Sequence, residues 1–138
     1  RDSNVMVTAF PAHHEEMAQS FSYRFDTPDR SIVISGDTAP TRALIEHSRG
    51  CDLLIHEAYS MMAYRNTERP TREFRHRHHT SSEQLAQIAN EVKPGMLVTY
   101  HRSSVGEEGL NAGHDVLTEE IRQAYKGRVV AASDLEIF

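Results

Sequence analysis

Three short apolar runs each end in a group that can bind a metal or move a proton. Ser31-Ile32-Val33-Ile34-Ser35 leads into Gly36-Asp37-Thr38, Leu53-Leu54-Ile55 into His56-Glu57, and Met96-Leu97-Val98-Thr99-Tyr100 into His101. A strand that stops abruptly holds its last side chain at a sheet rim, where a ligand can reach it. Imidazole and carboxylate on three strand ends suit Zn²⁺, Mn²⁺ or Fe, which take neutral nitrogen and hard oxygen from a stiff frame. The nine histidines are the one compositional excess, and several fall at such strand ends. Others gather in Arg75-His76-Arg77-His78-His79, which reads as a solvated loop.

The elements that must position these groups follow from periodicity and turn chemistry. Asn4 to Phe10 alternates sides and meets Pro11, which predicts a strand and then a loop. Ser22-Tyr23-Arg24-Phe25-Asp26 alternates likewise, and Thr27-Pro28-Asp29-Arg30 supplies a turn, so 22–26 and 31–35 form a hairpin. After Asp37, Thr38 is placed to cap a helix carrying an early Pro40, running to about Ser48 and closing at Gly50 in the left-handed conformation. Asp52 to Ile55 is a short buried strand. Residues 60–79 are polar, Arg-rich and without a clear period, and read as a long loop. Thr80-Ser81-Ser82-Glu83 has the spacing of a capping box. The helix it opens brings Leu85, Ile88, Ala89 and Val92 onto one face and stops at Pro94-Gly95. A strand to His101, a loop over 103–113, a helix from Asp115 to Tyr125 and a closing strand over 128–132 complete the order. Helices alternating with strands imply an α/β sheet covered by helices.

At 138 residues with a net charge of −5, the chain fits one domain able to bury its own core. Mild acidity argues against attachment to nucleic acid or membrane by bulk charge, and no apolar run approaches the roughly 20 residues of a membrane helix. The single cysteine, Cys51, excludes a disulfide framework and a thiolate zinc finger, and reads as a small buried residue. The first residue is Arg1, which suggests that something upstream has been removed. The compartment expected is cytoplasmic rather than periplasmic.

Ser35-Gly36-Asp37-Thr38, His56-Glu57-Ala58, His79-Thr80-Ser81-Ser82-Glu83 and Val98-Thr99-Tyr100-His101 resemble, in order and spacing, the second half of the metallo-β-lactamase fold. Within it they look most like ribonuclease Z and arylsulfatase-like hydrolases. The resemblance covers about Val5 to Phe138. It implies an αββα sandwich of which residues 1–138 form the carboxyl-terminal part, a mixed sheet with helices on one face. It also implies two divalent ions, zinc first, with Mn²⁺ or Fe as alternatives. By the same resemblance, Asp37 matches the bridging carboxylate, His101 a ligand of the second ion and His14 a ligand of the first. His13 stays open as the alternative to His14. His79 and Glu57 match the pair that serves proton transfer to the leaving group, work suited to an imidazole oriented by a carboxylate.

One part of the pattern is missing. The family's His-x-His-x-Asp-His motif, which supplies most ligands, occurs nowhere in the chain; His76-Arg77-His78-His79 lacks the aspartate. Three ligands are too few for a closed dinuclear centre. The expectation is therefore a metal-dependent hydrolase of a small-molecule ester, sulfate ester, lactone or phosphodiester, completed by an amino-terminal half. Two alternatives stand beside it: a non-catalytic fragment or interaction domain masked by another copy of itself or a partner, and a ribonuclease Z-like nuclease. The arginines at 65, 69, 72, 75 and 77 invite the nuclease reading, but Glu68 and Glu73 interrupt them, so a solvated or subunit-contact surface is expected.

Overall fold

The computed structural model describes residues 2–103, 112–133 and 135–137. The turn at Thr27 to Arg30 forms the expected hairpin: β2 (Phe21–Asp26) and β3 (Ser31–Ile34) pair antiparallel, and the Thr27 N–H donates to the Arg30 carbonyl at 2.8 Å. β1 (Met6–Pro11) adds antiparallel on the outside of β2. β4 (Leu53–Tyr59), β5 (Met96–Ser103) and β6 (Val129–Ala131) continue from β3, each parallel to its neighbour. The result is one mixed sheet of six strands in chain order.

Parallel neighbours require crossovers, and helices supply them. α1 (Arg42–Ser48) links β3 to β4, α4 (Ser82–Val92) precedes β5, and α5 (Ala112–Ala124) precedes β6. Val33, Leu54, Leu97 and Val129 lie in register across four strands and are buried with Leu44, Leu85, Ile88, Leu117 and Ile121 from these helices. Their sheet neighbours point the other way. Ile32, Ile34, Leu53 and Ile55 are only half-buried, while Val7, Phe21 and Tyr23 are exposed. A mixed sheet with helices on one face is thus present, as the sequence leads one to expect.

The local differences have physical causes. Residues 60–79 are helical: α2 (Met61–Arg65) and α3 (Arg69–His78) occupy most of the stretch read as a loop. α3 buries Arg75 and His78 rather than aliphatic residues, so it carries no apolar stripe for periodicity to detect. α2 is held at its start by Ser60, which accepts from the Ala63 N–H, and by Glu120 of α5, which accepts from the Met61 and Met62 N–H groups at 3.0 and 2.8 Å. α1 is capped by Thr41 and not by Thr38. α4 is capped by Ser81 with Gln84 as its reciprocal partner, one residue beyond the spacing read from Thr80 and Glu83. Both displaced threonines serve the site instead. β4 runs on through Glu57 to Tyr59, and α5 begins three residues earlier than expected. Gly50 takes the left-handed backbone at φ +62°, and Cys51 is buried and free, as anticipated. Residues 104–111 of the expected 103–113 loop lie outside the described residues, as do Asp134 and the side chain of His114.

Candidate metal centre

Asp37 reaches the sheet rim because Gly36 breaks the strand. Gly36 has φ +63°, and a Cβ there would stand 3.1 Å from the Phe21 carbonyl, so both backbone conformation and space favour glycine. Near the far end of β5, His101 has φ +41°, a left-handed backbone uncommon for a residue with a side chain. Strain of this kind clusters where a side chain must be aimed. Here the imidazole is aimed at Asp37: His101 Nε2 lies 3.3 Å from Asp37 Oδ2.

His79 completes the group. Asp37, His79 and His101 each offer a ligand atom, all within 4.8 Å of one another. His79 sits where α3 ends, its N–H donating to the Arg75 carbonyl at 2.9 Å. Its Nδ1 lies 3.4 Å from Glu57 Oε2, long for a hydrogen bond but close enough for an ion pair once the ring is protonated. Glu57 thereby claims the Nδ1 side and leaves Nε2 available to the other two residues. The Glu57 contact, opposed by burial, holds His79 above the ordinary imidazole range.

Glu57 is 1% exposed and ties three loops together. Its Oε1 accepts from the Thr38 N–H at 3.3 Å and the Thr80 N–H at 2.9 Å. Thr80 Oγ1 donates to the Thr38 carbonyl, and Thr38 Oγ1 accepts from the His13 N–H. The Ala39 N–H donates to the His13 carbonyl, and the Glu57 N–H donates to Ser35 Oγ. A buried carboxylate is tolerable only with such partners. The network fixes the segments bearing His14, Asp37 and His79 to one another. Thr38, Thr80 and Ser35 are site residues that the sequence reading missed; their one signal is a hydroxyl beside each motif position.

His14 turns its ring into the same cluster, with centroids 4.6 Å from His78 and 5.6 Å from His79, while His13 is exposed. The ring contacts favour His14 over His13, although His14 stands outside the tight group of three. Arg77 pairs with Glu15 at 3.1 Å, fastening the His14 segment to α3. Burial, then the neighbouring rings of His78 and His79, push His14 below the ordinary range, so it stays neutral and able to donate a lone pair. His56 is fully buried, its Nδ1 2.6 Å from the Glu57 carbonyl, and burial pushes it down too. It holds backbone. His47 stacks on Phe10 with ring centroids 4.4 Å apart.

The donor set fits a divalent transition metal. Asp37 and His101 offer a carboxylate and an imidazole, ligands of the right kind, with the His79 ring beside them and all three within 4.8 Å. His14 Nδ1 is buried without a hydrogen-bond partner, which is a tolerable arrangement in a ring held for coordination.

Residues 1–102 match the family described as "Beta-lactamase superfamily domain". The chain belongs to this superfamily. It is 32% identical over 107 residues to ribonuclease Z of Haloarcula marismortui, covering 78% of this chain and 31% of that protein. It is 38% identical over 94 residues to ribonuclease Z of Brevibacillus brevis, covering 67% and 28%. The chain thus spans under a third of the length of these relatives. Among solved structures, the metallo-beta-lactamase fold protein YhfI from Bacillus subtilis superposes with a TM-score of 0.75 at 21% identity, over 96% of this chain and 48% of that one. The short form of human tRNase Z superposes with a TM-score of 0.66 at 21% identity, over the whole of this chain and 44% of that one. Both likenesses concern the fold. No helix among the described residues is long and apolar enough to cross a membrane.

Proposed function

We propose that this chain is the carboxyl-terminal part of a metal-dependent hydrolase that cleaves a phosphodiester, with RNA as the substrate class. The observation that carries the reading is the convergence of Asp37, His79 and His101 from three separate segments onto one point at the sheet rim. The sequence alone favours a small-molecule ester; the ribonuclease Z relatives move the preference to the phosphodiester of RNA.

Asp37 and His101 would hold metal directly, with His14 entering from the opposite loop, and the rest of a dinuclear shell would come from another part of the whole protein. A bound divalent ion such as zinc supplies a hydroxide at neutral pH and stabilises charge on the attacked centre. The chain's own groups do the rest. Glu57, fixed by the Thr38 and Thr80 N–H groups, holds the His79 ring by its Nδ1 edge. His79, raised above the ordinary imidazole range by Glu57, is suited to hold a proton and deliver it from Nε2 to the departing oxygen. Asp37 fixes the position of His101 across the rim.

Metal analysis and RNA cleavage by the whole protein test the reading together. About two ions per chain are expected, with Asp37→Ala and His101→Ala losing metal, and His79→Ala keeping metal while losing cleavage of RNA. Retention of metal by the first two variants, or cleavage of carboxylic esters but not RNA by the wild type, would overturn it. The half-buried and exposed apolar side chains of the uncovered sheet face favour cover by the remainder of the protein over a free-standing interaction domain.

A further inference from the structure

The outer side of α3 carries a ring that the chemistry above does not use. Phe74 is 42% exposed, although aromatic side chains gain most from burial. It is far from loose. Its ring stacks on His78 with centroids 4.1 Å apart and planes at 24°, and its centroid is 5.9 Å from that of His79. His78 is fully buried, and its Nδ1 donates to the Phe74 carbonyl at 2.7 Å, so the backing ring cannot swing away. Phe74 is therefore the solvent-facing end of a series of rings that runs through His78 and His14 to His79 and His101.

The helix that bears it carries both signs of charge. Arg69 and Arg77 have carboxylate partners in Glu73 and Glu15. Arg72 and His76 each stand two positions from Phe74, roughly 200° round the helix from it, so neither shares its side. A rigid, half-open aromatic face matches the stacking surface that single-stranded nucleic acid uses for a base. Were the ring only a surface residue, neither its fixed backing nor its nearness to His79 would be required.

We propose that Phe74 is the stacking platform for the nucleobase adjoining the scissile phosphate. The inference rests on the phosphodiesterase reading of the same site. It makes α3 a positioning surface for substrate, where the sequence suggests a solvated or subunit-contact segment. Stacking tolerates any base, so the platform would select for the presence of a base and not its identity.

The test uses the whole protein, its Phe74→Ala and Phe74→Tyr variants, and two RNA oligonucleotides that differ by one abasic residue beside the scissile bond. Cleavage is followed as kcat/KM, and binding by fluorescence anisotropy in EDTA, which needs no metal. Phe74→Ala should lose roughly tenfold or more in both readouts on the intact RNA and little on the abasic one, while Phe74→Tyr restores wild-type behaviour. Equal losses on both RNAs, or no loss on either, overturn the platform; equal losses with a lowered melting temperature identify Phe74 as packing against another part of the protein. A wild type that cleaves neither RNA removes the phosphodiesterase reading and this inference with it, whereas an active wild type without the base-dependent difference removes this inference alone.

Discussion

The two sides of the candidate centre are built on opposite principles. On the inner side, Glu57, His56, Thr38 and Thr80 are buried, and most of their polar atoms meet a backbone partner. On the outer side, Asp37 and His101 are 40% and 54% exposed and meet chiefly each other, at 3.3 Å. The inner side contributes to folding, because a buried charge without partners is costly. The outer side contributes almost nothing to folding and even stores strain in the left-handed backbone of His101. The difference teaches where the site's rigidity comes from: side chains can stand exposed at the rim because a buried carboxylate behind them fixes the loops they stand on.

The sharpest way to break this comparison is Glu57→Ala. It leaves the Thr38 and Thr80 N–H groups unpaired in the interior, and should cost roughly 2–4 kcal/mol of stability in urea denaturation. Glu57→Gln, which can still accept both, should cost distinctly less. A loss for Glu57→Ala within the range of a surface substitution would mean that the inner side is not the scaffold.

Acid should expose the inner side next. Burial depresses His56 and His14, so protons favour the unfolded chain: their contribution is complete well above the ordinary imidazole pKa of about 6.5 and is lost as pH falls through it. His79 works in the opposite sense. Its raised value, due first to Glu57, makes its contribution complete below about pH 6.5 and lost as pH rises through the folded value. Thermal melts between pH 5 and 8 should show the wild type weakening on the acid side. His56→Asn should be less stable throughout yet flatter there, and an unchanged acid slope would remove His56 from the account.

Smaller effects sharpen the outer side. His101→Gly relieves a left-handed backbone that His101→Ala retains, so the glycine variant should be the more stable of the two by about 1 kcal/mol. Equal stabilities would show that the backbone relaxes when the imidazole goes. Smallest of all in stability is Asp37→Ala, expected within about 0.5 kcal/mol of wild type, even though metal content should fall. A destabilisation like that of Glu57→Ala would erase the distinction between the two sides.

What the sequence determined by itself was local and periodic. The hairpin around Pro28, the apolar face of α4, the left-handed Gly50 and the strand ends bearing Asp37 and His101 follow from turn chemistry, spacing and propensity, each set within a few residues. The ordered motifs carried the superfamily as well, because a family keeps its chemical groups at strand ends. What only tertiary structure decided was how polar residues were spent. α3 was invisible because its buried face is Arg75 and His78, and burial of polar groups depends on partners that sequence spacing cannot display. Thr38 looked like a cap, since capping is the local use of a threonine, yet its N–H and hydroxyl were taken by Glu57 and His13 from distant segments. The turning of the His14 ring toward His78 and His79, the entry of His79 into the group with Asp37 and His101, and the braced face of Phe74 likewise depend on how loops meet across a sheet rim.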